Sequence, residues 1–297
     1  MAGLTNGINS NSITPLETIQ GGTGLSSPTT HGILVAQGSS ALDPIVLTNG
    51  QLLIGSTGAN PVAATLTGTG SVTIIDAAGS ITINSNAFIS INVQVLTTTG
   101  TYTPSANMVY CMVEAIGGGG AGGGATAGLL TESVGGGGGA GGYAMSYYSA
   151  ATIGASQSFT IGSGGTGGTG TGGTGGNTTF GSSLLVADGG VGGLNSGISG
   201  TITVGRGGVG GAASNGTLNV SGEDGNFGIA STASGNCSGI GGNTPYGSGG
   251  NAVTGSVNGN AGSGFGSGGS GASTDGSTNR NGGNGAPGVI VVTEYIK

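Results

Sequence analysis

The chain has 297 residues, of which 76 are glycine, and only 4% are charged. Three basic residues against ten acidic ones leave a net charge of −7, which excludes a phosphate-neutralising nucleic-acid surface and a polybasic membrane anchor. A mean hydropathy of +0.21 with so little charge argues for order, because disordered chains combine low hydropathy with high charge.

Residues 1–18 form a polar leader or attachment segment with no charged start and no apolar core, so they do not read as a signal peptide. No apolar run reaches the length of a membrane span, and no membrane insertion is expected; AFISINVQVL is the longest. From residue 19 to about 85 short apolar runs alternate with Gly, Asn, Ser and Thr, and from Phe88 the strands lengthen; the stalk-like region is set at 19–95. Gly32 aligns with Gly50, Leu34 with Leu52, Ala41 with Ala59, and Pro44 with Pro61 after a one-residue deletion. The repeat reads as strand, small-residue turn, strand, and GSVTIIDAAGSITI as two more strands. Each unit has too few large residues to bury a face alone, so stacking or oligomerisation is expected of this stalk-like region.

The remainder, 96–297, is expected to be one glycine-rich domain. Its long apolar segments 108–116 and 289–296 are expected to pair in one sheet and close the region between them. Inside that frame glycine recurs every third residue, with Gly164, Gly167, Gly170, Gly173 and Gly176 in one phase. Three residues per turn is the polyproline-II repeat, about 3.1 Å per residue, and the run 162–176 would be about 46 Å long if continuous. Such helices pack side by side only where glycine faces each neighbour, and their N–H and C=O groups then bond between helices. Seven prolines and no long strict G-X-Y tract exclude collagen. No α-helix is signalled, so the fold class is all-β: a fibrous repeat stalk, then glycine-rich helices closed by a terminal strand pair. Irregular segments at 126–133, 194–203, 213–239, 243–246, 251–260 and 272–280 read as loops.

Candidate chemistry is thin. GGTGGTGTGGTGG lacks the Lys-Ser/Thr of a phosphate-binding loop, and the single histidine, His31, reads as a turn residue. Glu223 and Asp224 are adjacent, and neighbours in an extended chain point to opposite sides, so they read as solvating a loop rather than as a glycosidase pair. Cys111 and Cys237 give no metal spacing and leave a disulfide open. Neither cofactor, metal nor enzymatic activity is expected. Tyr143, Tyr147 and Tyr148 read as packing against the glycine slab, whereas Leu129, Leu130, Phe227, Tyr246 and Phe265 fall in or beside loops and are candidate contact residues. Arg280, flanked by Asn279 and Asn281, is a candidate grip on a carboxylate or sugar phosphate.

The segments TIQGGTGLSSPTTHGILVAQG and LTNGQLLIGSTGANPVAATL resemble repeats of bacteriophage and prophage tail fibres. TYTPSANMVYCMVEAIGGGGAGGG, VGGGGGAGGYA and GGNGAPGVIVVTEYI resemble the glycine-rich adhesin domain at the tip of such fibres, and are similar to the receptor-binding adhesins of some T-even-like phages. The resemblance implies a sandwich of polyglycine-II helices presenting loops to a bacterial polysaccharide or outer-membrane protein. It further implies a homotrimer, docking of the N-terminus onto another fibre or virion component, and release by lysis without a signal peptide. The rival reading is a structural subunit that polymerises into an extracellular or virion filament. Ice binding would need a regular Thr/Ala lattice that these loops lack.

Overall fold

The structure is a computed structural model describing residues 22–27, 29–85, 90–128, 132–197, 202–231 and 235–297. The leader 1–18 and the candidates Leu129 and Leu130 lie outside the described residues. The chain divides into two compact units, Met1–Ala87 and Phe88–Lys297. The sequence expectation set that division near residue 95, but the strand Ser90–Leu96 pairs along its length within the second unit.

The first unit contains three antiparallel hairpins: β1 (Ile33–Gln37) with β2 (Ser40–Ile45), β3 (Gln51–Ser56) with β4 (Ala59–Thr65), and β5 (Val72–Ala77) with β6 (Ser80–Ser85). Each turns on a tight connection holding a glycine of positive φ: Gly38, Gly58 and Gly79. His31 occupies the turn before β1 with φ 58°. Each hairpin is a separate two-stranded sheet, and Ile54, Val62, Ile75 and Ile83 remain exposed.

The second unit begins as a sandwich of two five-stranded sheets. The first sheet is built from β7 (Ser90–Leu96), β9 (Met108–Ile116), β11 (Tyr143–Ser149), β17 (Leu218–Val220) and β23 (Val289–Ile296), in the order β17-β11-β9-β23-β7. β9 and β23 are antiparallel in continuous register from Ile116↔Val289 to Tyr110↔Tyr295. The second contains β8 (Gly100–Tyr102), β12 (Gln157–Thr160), β13 (Thr178–Phe180), β14 (Leu185–Ala187) and β16 (Ala213–Ser214), in the order β16-β14-β13-β12-β8. Side chains alternate across a strand, so Cys111, Val113 and Ala115 of β9 meet Tyr102, Phe159, Phe180, Leu185 and Ala187 in one core. The one-turn helix α1 (Ala150–Ile153), capped by the Ser149 hydroxyl, adds Ile153 to it.

Beyond the sandwich run the glycine segments, and their backbone hydrogen bonds display the threefold screw directly. In the segment 117–125, Gly117, Gly120 and Gly123 donate to Gly142, Gly139 and Gly136. Gly118, Ala121 and Gly124 donate to Gly176, Gly173 and Gly170, while Gly119, Gly122 and Ala125 donate to Ala286, Gly283 and Arg280. Every third N–H therefore reaches the same neighbour, as polyglycine-II geometry requires. Three further segments, 161–169, 188–195 and 266–272, donate back to its carbonyls, so it has six neighbours in hexagonal packing. The antiparallel segment 134–142 is likewise bonded to segments at 117–125, 188–195, 205–212, 221–227, 238–243 and 266–272. A helix with a neighbour on every side has no room for a side chain beyond alanine. These two segments accordingly contain, apart from Val134 at one end, only Gly and Ala, and their alanines 121, 125 and 140 are wholly buried.

Peripheral segments need glycine only on their inward faces, and in 161–169 Ser163, Thr166 and Thr169 point to solvent. The continuous 46 Å rod expected over 162–176 is not formed. The chain bends at residues 169–171 and returns antiparallel, with Gly173 and Gly176 donating to the carbonyls of Thr166 and Ser163. The fold is all-β with polyglycine-II segments.

Candidate functional site

Because successive glycine segments run in alternating directions, their connections collect at two opposite ends. One end carries the sheets. The other gathers the connections after residues 125, 169, 195, 227, 253 and 272, as the pairings Gly123–Gly136, Gly124–Gly170, Ala125–Arg280 and Gly135–Asn195 show.

Polar side chains tie this loop end together. Asn195 Nδ2 donates to Thr126 Oγ1 and to the Thr169 carbonyl, both at 2.9 Å. The Asn279 side chain accepts from the Ala127 N–H at 2.7 Å. Asn236 bridges the Thr274 carbonyl and the Gly255 N–H. Asp275 accepts from Ser256 Oγ at 2.5 Å and from both the hydroxyl and N–H of Ser277; these bonds, Ser256 first, pull its carboxyl down to about 2. Short strands β10 (Ser133–Val134) and β22 (Ser273–Thr274) pair beneath the loops.

On this frame stands a three-stranded antiparallel sheet of β15 (Thr203–Gly205), β18 (Gly228–Ser231) and β19 (Gly235–Cys237). Val204 pairs with Ile229 and Ile229 with Cys237. By strand alternation Ile202 and Phe227 share their face. Ile202 is 70% exposed, Phe227 62%, Val204 48% and Ile229 44%, so the face is an apolar row standing in water at the loop end.

The sequence candidates separate. Phe227 and Arg280 lie at the loop end. Arg280 is half-buried, with its backbone bonded both ways to Ala125 and its Nε without a partner among the described residues. Tyr246 and Phe265 lie at the opposite end, beside the sheets, where the Phe265 N–H donates to the Tyr246 carbonyl and β20 (Gly247–Ser248) pairs with β21 (Ser263–Gly264). Ile202, Val204 and Ile229 were not among the sequence candidates; the alternation in TITVG and NFGIAS was the signal that could have found this exposed row. The three tyrosines of β11 do not share one role. Tyr148 enters the sandwich core and donates to the Leu184 carbonyl, Tyr147 is exposed, and Tyr143 lines a cleft. Both cysteines are free, Cys111 buried and Cys237 exposed.

The cleft, of about 580 Å³, opens among β9, the start of β11, the end of β17 and the turn 243–246. Glu114 Oε1 accepts from the Tyr143 hydroxyl at 2.7 Å and the Tyr246 hydroxyl at 3.0 Å. Burial, then the bond to Glu114, pushes both phenols up, Tyr246 to about 12. Across the cleft Glu223 Oε2 accepts from the Asn243 N–H and Nδ2 at 2.8 and 2.7 Å. Among the described residues no group of three or more His, Cys, Asp or Glu is placed to hold a metal ion, and no helix is long and apolar enough to cross a membrane.

Fold and site together define a class: a polyglycine-II slab, closed by a β-sandwich at one end, that presents cross-tied loops at the other. The model of the glycine-rich domain family matches residues 95–295, and the chain belongs to that family. No curated protein sequence matches it.

Proposed function

We propose that this chain is the receptor-binding adhesin of a bacteriophage or prophage tail fibre, acting by surface complementarity without covalent chemistry. The carrying observation is the exposed row Ile202, Val204, Phe227 and Ile229 on loops held by a rigid slab. Contiguous exposed apolar surface marks interaction sites, and a partner meeting pre-organised loops orders little on binding. The partner is a bacterial surface protein or polysaccharide, and the setting a virion or the extracellular medium.

The hairpins of the first unit support self-association, proposed as a homotrimer. A lone two-stranded hairpin is marginal in water, and copies of the chain would cover Ile54, Val62, Ile75 and Ile83; multivalent tips would then bind avidly. The N-terminus is proposed to dock onto another fibre or virion component. The filament-subunit reading has one observation in its favour. Ile91, Val93 and Val95 of β7 lie exposed on the outer face of the first sheet, at its edge, where chains can pair.

The test is adsorption of the fluorescently labelled full chain to a panel of intact bacterial strains. Binding to a subset of strains that Ile202→Asp with Phe227→Ala reduces at least tenfold, with an unchanged near-ultraviolet spectrum, is the expected outcome. Undiminished binding by that variant, or open filaments in electron micrographs with no strain bound, overturns the adhesin reading.

A further inference from the structure

We propose that the cleft walled by Tyr143 and Tyr246 is a binding site for a guanidinium or primary ammonium group carried on an apolar stem. The cleft lies at the sheet end of the glycine segments, away from the loop cluster, and goes beyond the adhesin reading. A concave, mostly apolar site with a few convergent polar groups is the usual form of a ligand pocket. Here Val220, Pro245 and the two tyrosine rings supply apolar wall, and the polar groups are unequal in kind. Two carboxylates line the cleft, and no lysine, arginine or histidine does.

The hydrogen bonds decide the ligand class. Each carboxylate is held by one oxygen only. Glu114 uses Oε1 for both phenols, and Glu223 uses Oε2 for both nitrogens of Asn243. The second oxygen of each takes no hydrogen bond from a described residue. The phenol hydrogens are spent on Glu114, and Asn243 Oδ1 is taken by the Gly249 N–H at 2.9 Å. What remains is acceptor-rich, donor-poor and negative, which repels anions and leaves the acceptor groups of a neutral ligand poorly matched. A planar guanidinium offers five donors, its stem can lie along Val220 and Pro245, and a cation over a tyrosine ring gains attraction when desolvated. A free small amine and a basic side chain of a protein partner share this chemistry.

The experiment is calorimetric titration of the full chain with argininamide and its uncharged isostere citrullinamide, both acetylated on the α-amine, a blocked Ala-Arg-Ala peptide and methyl glucoside. Argininamide is expected to saturate with a Kd of about 1 mM, at least tenfold tighter than citrullinamide, and to weaken as salt is raised. Tyr246→Ala is expected to weaken it about tenfold. Val220→Arg, at an exposed position, is expected to fill the cleft with its own guanidinium and abolish binding without disturbing the turn 243–246. Peptide binding equal to argininamide assigns the site to a basic side chain, and exclusion of the peptide assigns it to free amines. Equal affinity for citrullinamide, preference for methyl glucoside, no saturation by about 20 mM argininamide, or indifference to Val220→Arg overturns the proposal. Cell adsorption by Val220→Arg reads the adhesin function separately, because the loop end is untouched.

Discussion

Tyr102 donates its hydroxyl to Glu294 at 2.6 Å, and the carboxylate that receives it is completely buried, with no Lys, Arg or His bonded to it among the described residues. Four more hydrogen bonds reach it: from the Ser105 N–H and Gln94 on Oε1, and from the Ser105 hydroxyl and Asn92 on Oε2. Glu294 thus joins β7, β8 and the turn after β8 to the closing strand β23.

Removing its charge is expected to be costly. Glu294→Gln turns an amide N–H toward groups that donate, and loss of one partner in a buried charged network costs about 3–5 kcal/mol. Tyr102→Phe leaves the other four donors in place and is expected to cost about 1–2 kcal/mol. Burial pushes the Glu294 carboxyl up, but the bonds from Ser105, Tyr102 and Asn92 outweigh it and hold the group below the ordinary glutamate range. A depressed carboxyl stabilises fully above its unfolded value of about 4.3, and the contribution is lost as pH falls through the lower folded value. Denaturant melts between pH 6 and 2.5 are expected to show that loss in the native chain and a flatter profile in Glu294→Gln; parallel profiles would refute the assignment.

Glycines are expected to respond very differently to alanine, even Gly167 and Gly170, which share one sequence phase. A Cβ on Gly138, in the central segment 134–142, would stand 2.2 Å from the Gly120 carbonyl oxygen, and one on Gly167 would stand 1.9 Å from that of Gly282. Backbone on both sides cannot yield as a side chain can, so Gly138→Ala and Gly167→Ala are expected to lose at least about 3 kcal/mol, the upper part of the overpacking range. Gly170, at the bend, meets nothing within 4 Å. Gly170→Ala is expected to be neutral or to stabilise by about 0.5 kcal/mol through the unfolded chain. Thermal melts of the three variants check the contrast.

That contrast marks how far the sequence was legible. The pairing of 108–116 with 289–296 could be read from two apolar runs bracketing glycine, and the threefold period from glycine spacing. The bend at 169–171 was also written in the sequence, in the threonines. Thr166, Thr169, Thr171 and Thr174 are spaced three, two and three, and the two-residue step breaks the outward-facing row. The glycine phase continues across that break and hides it. That Tyr246 and Phe227 fall at opposite ends could not be read, because loop ends alternate between two sides of the slab and the side of each depends on how many segments precede it. Glu294 was invisible because its five donors come from Asn92, Gln94, Tyr102 and Ser105, far away in the chain.

The first unit is expected to govern stoichiometry. Val62 and Ile83 are exposed on separate hairpins, and burying them against other copies is the simplest way to stabilise two-stranded sheets. Mass photometry of the full chain is expected to give about three chains per particle. Val62→Asp with Ile83→Asp is expected to shift the particles to single chains, because a buried unpaired carboxylate costs several kcal/mol. Particles of unchanged mass would show that assembly uses another surface.

The two thiols offer a test that joins chemistry to the loop end. Cys111 is wholly buried, and burial followed by the charge of Glu294 pushes its thiol up to about 11, so little thiolate exists at neutral pH and none is accessible. Cys237 is exposed and stands opposite Ile229 on β19, beside the apolar row. A thiol reagent is therefore expected to modify one cysteine in the native chain and both in denaturant. If the row contacts the receptor, a polyethylene-glycol maleimide on Cys237 covers it, and adsorption to a susceptible strain is expected to fall at least tenfold. Cys237→Ser should adsorb normally and ignore the reagent. Full adsorption by the modified chain would place the contact on another part of the loop end, and modification of Cys111 at the rate of Cys237 would contradict the closed sandwich.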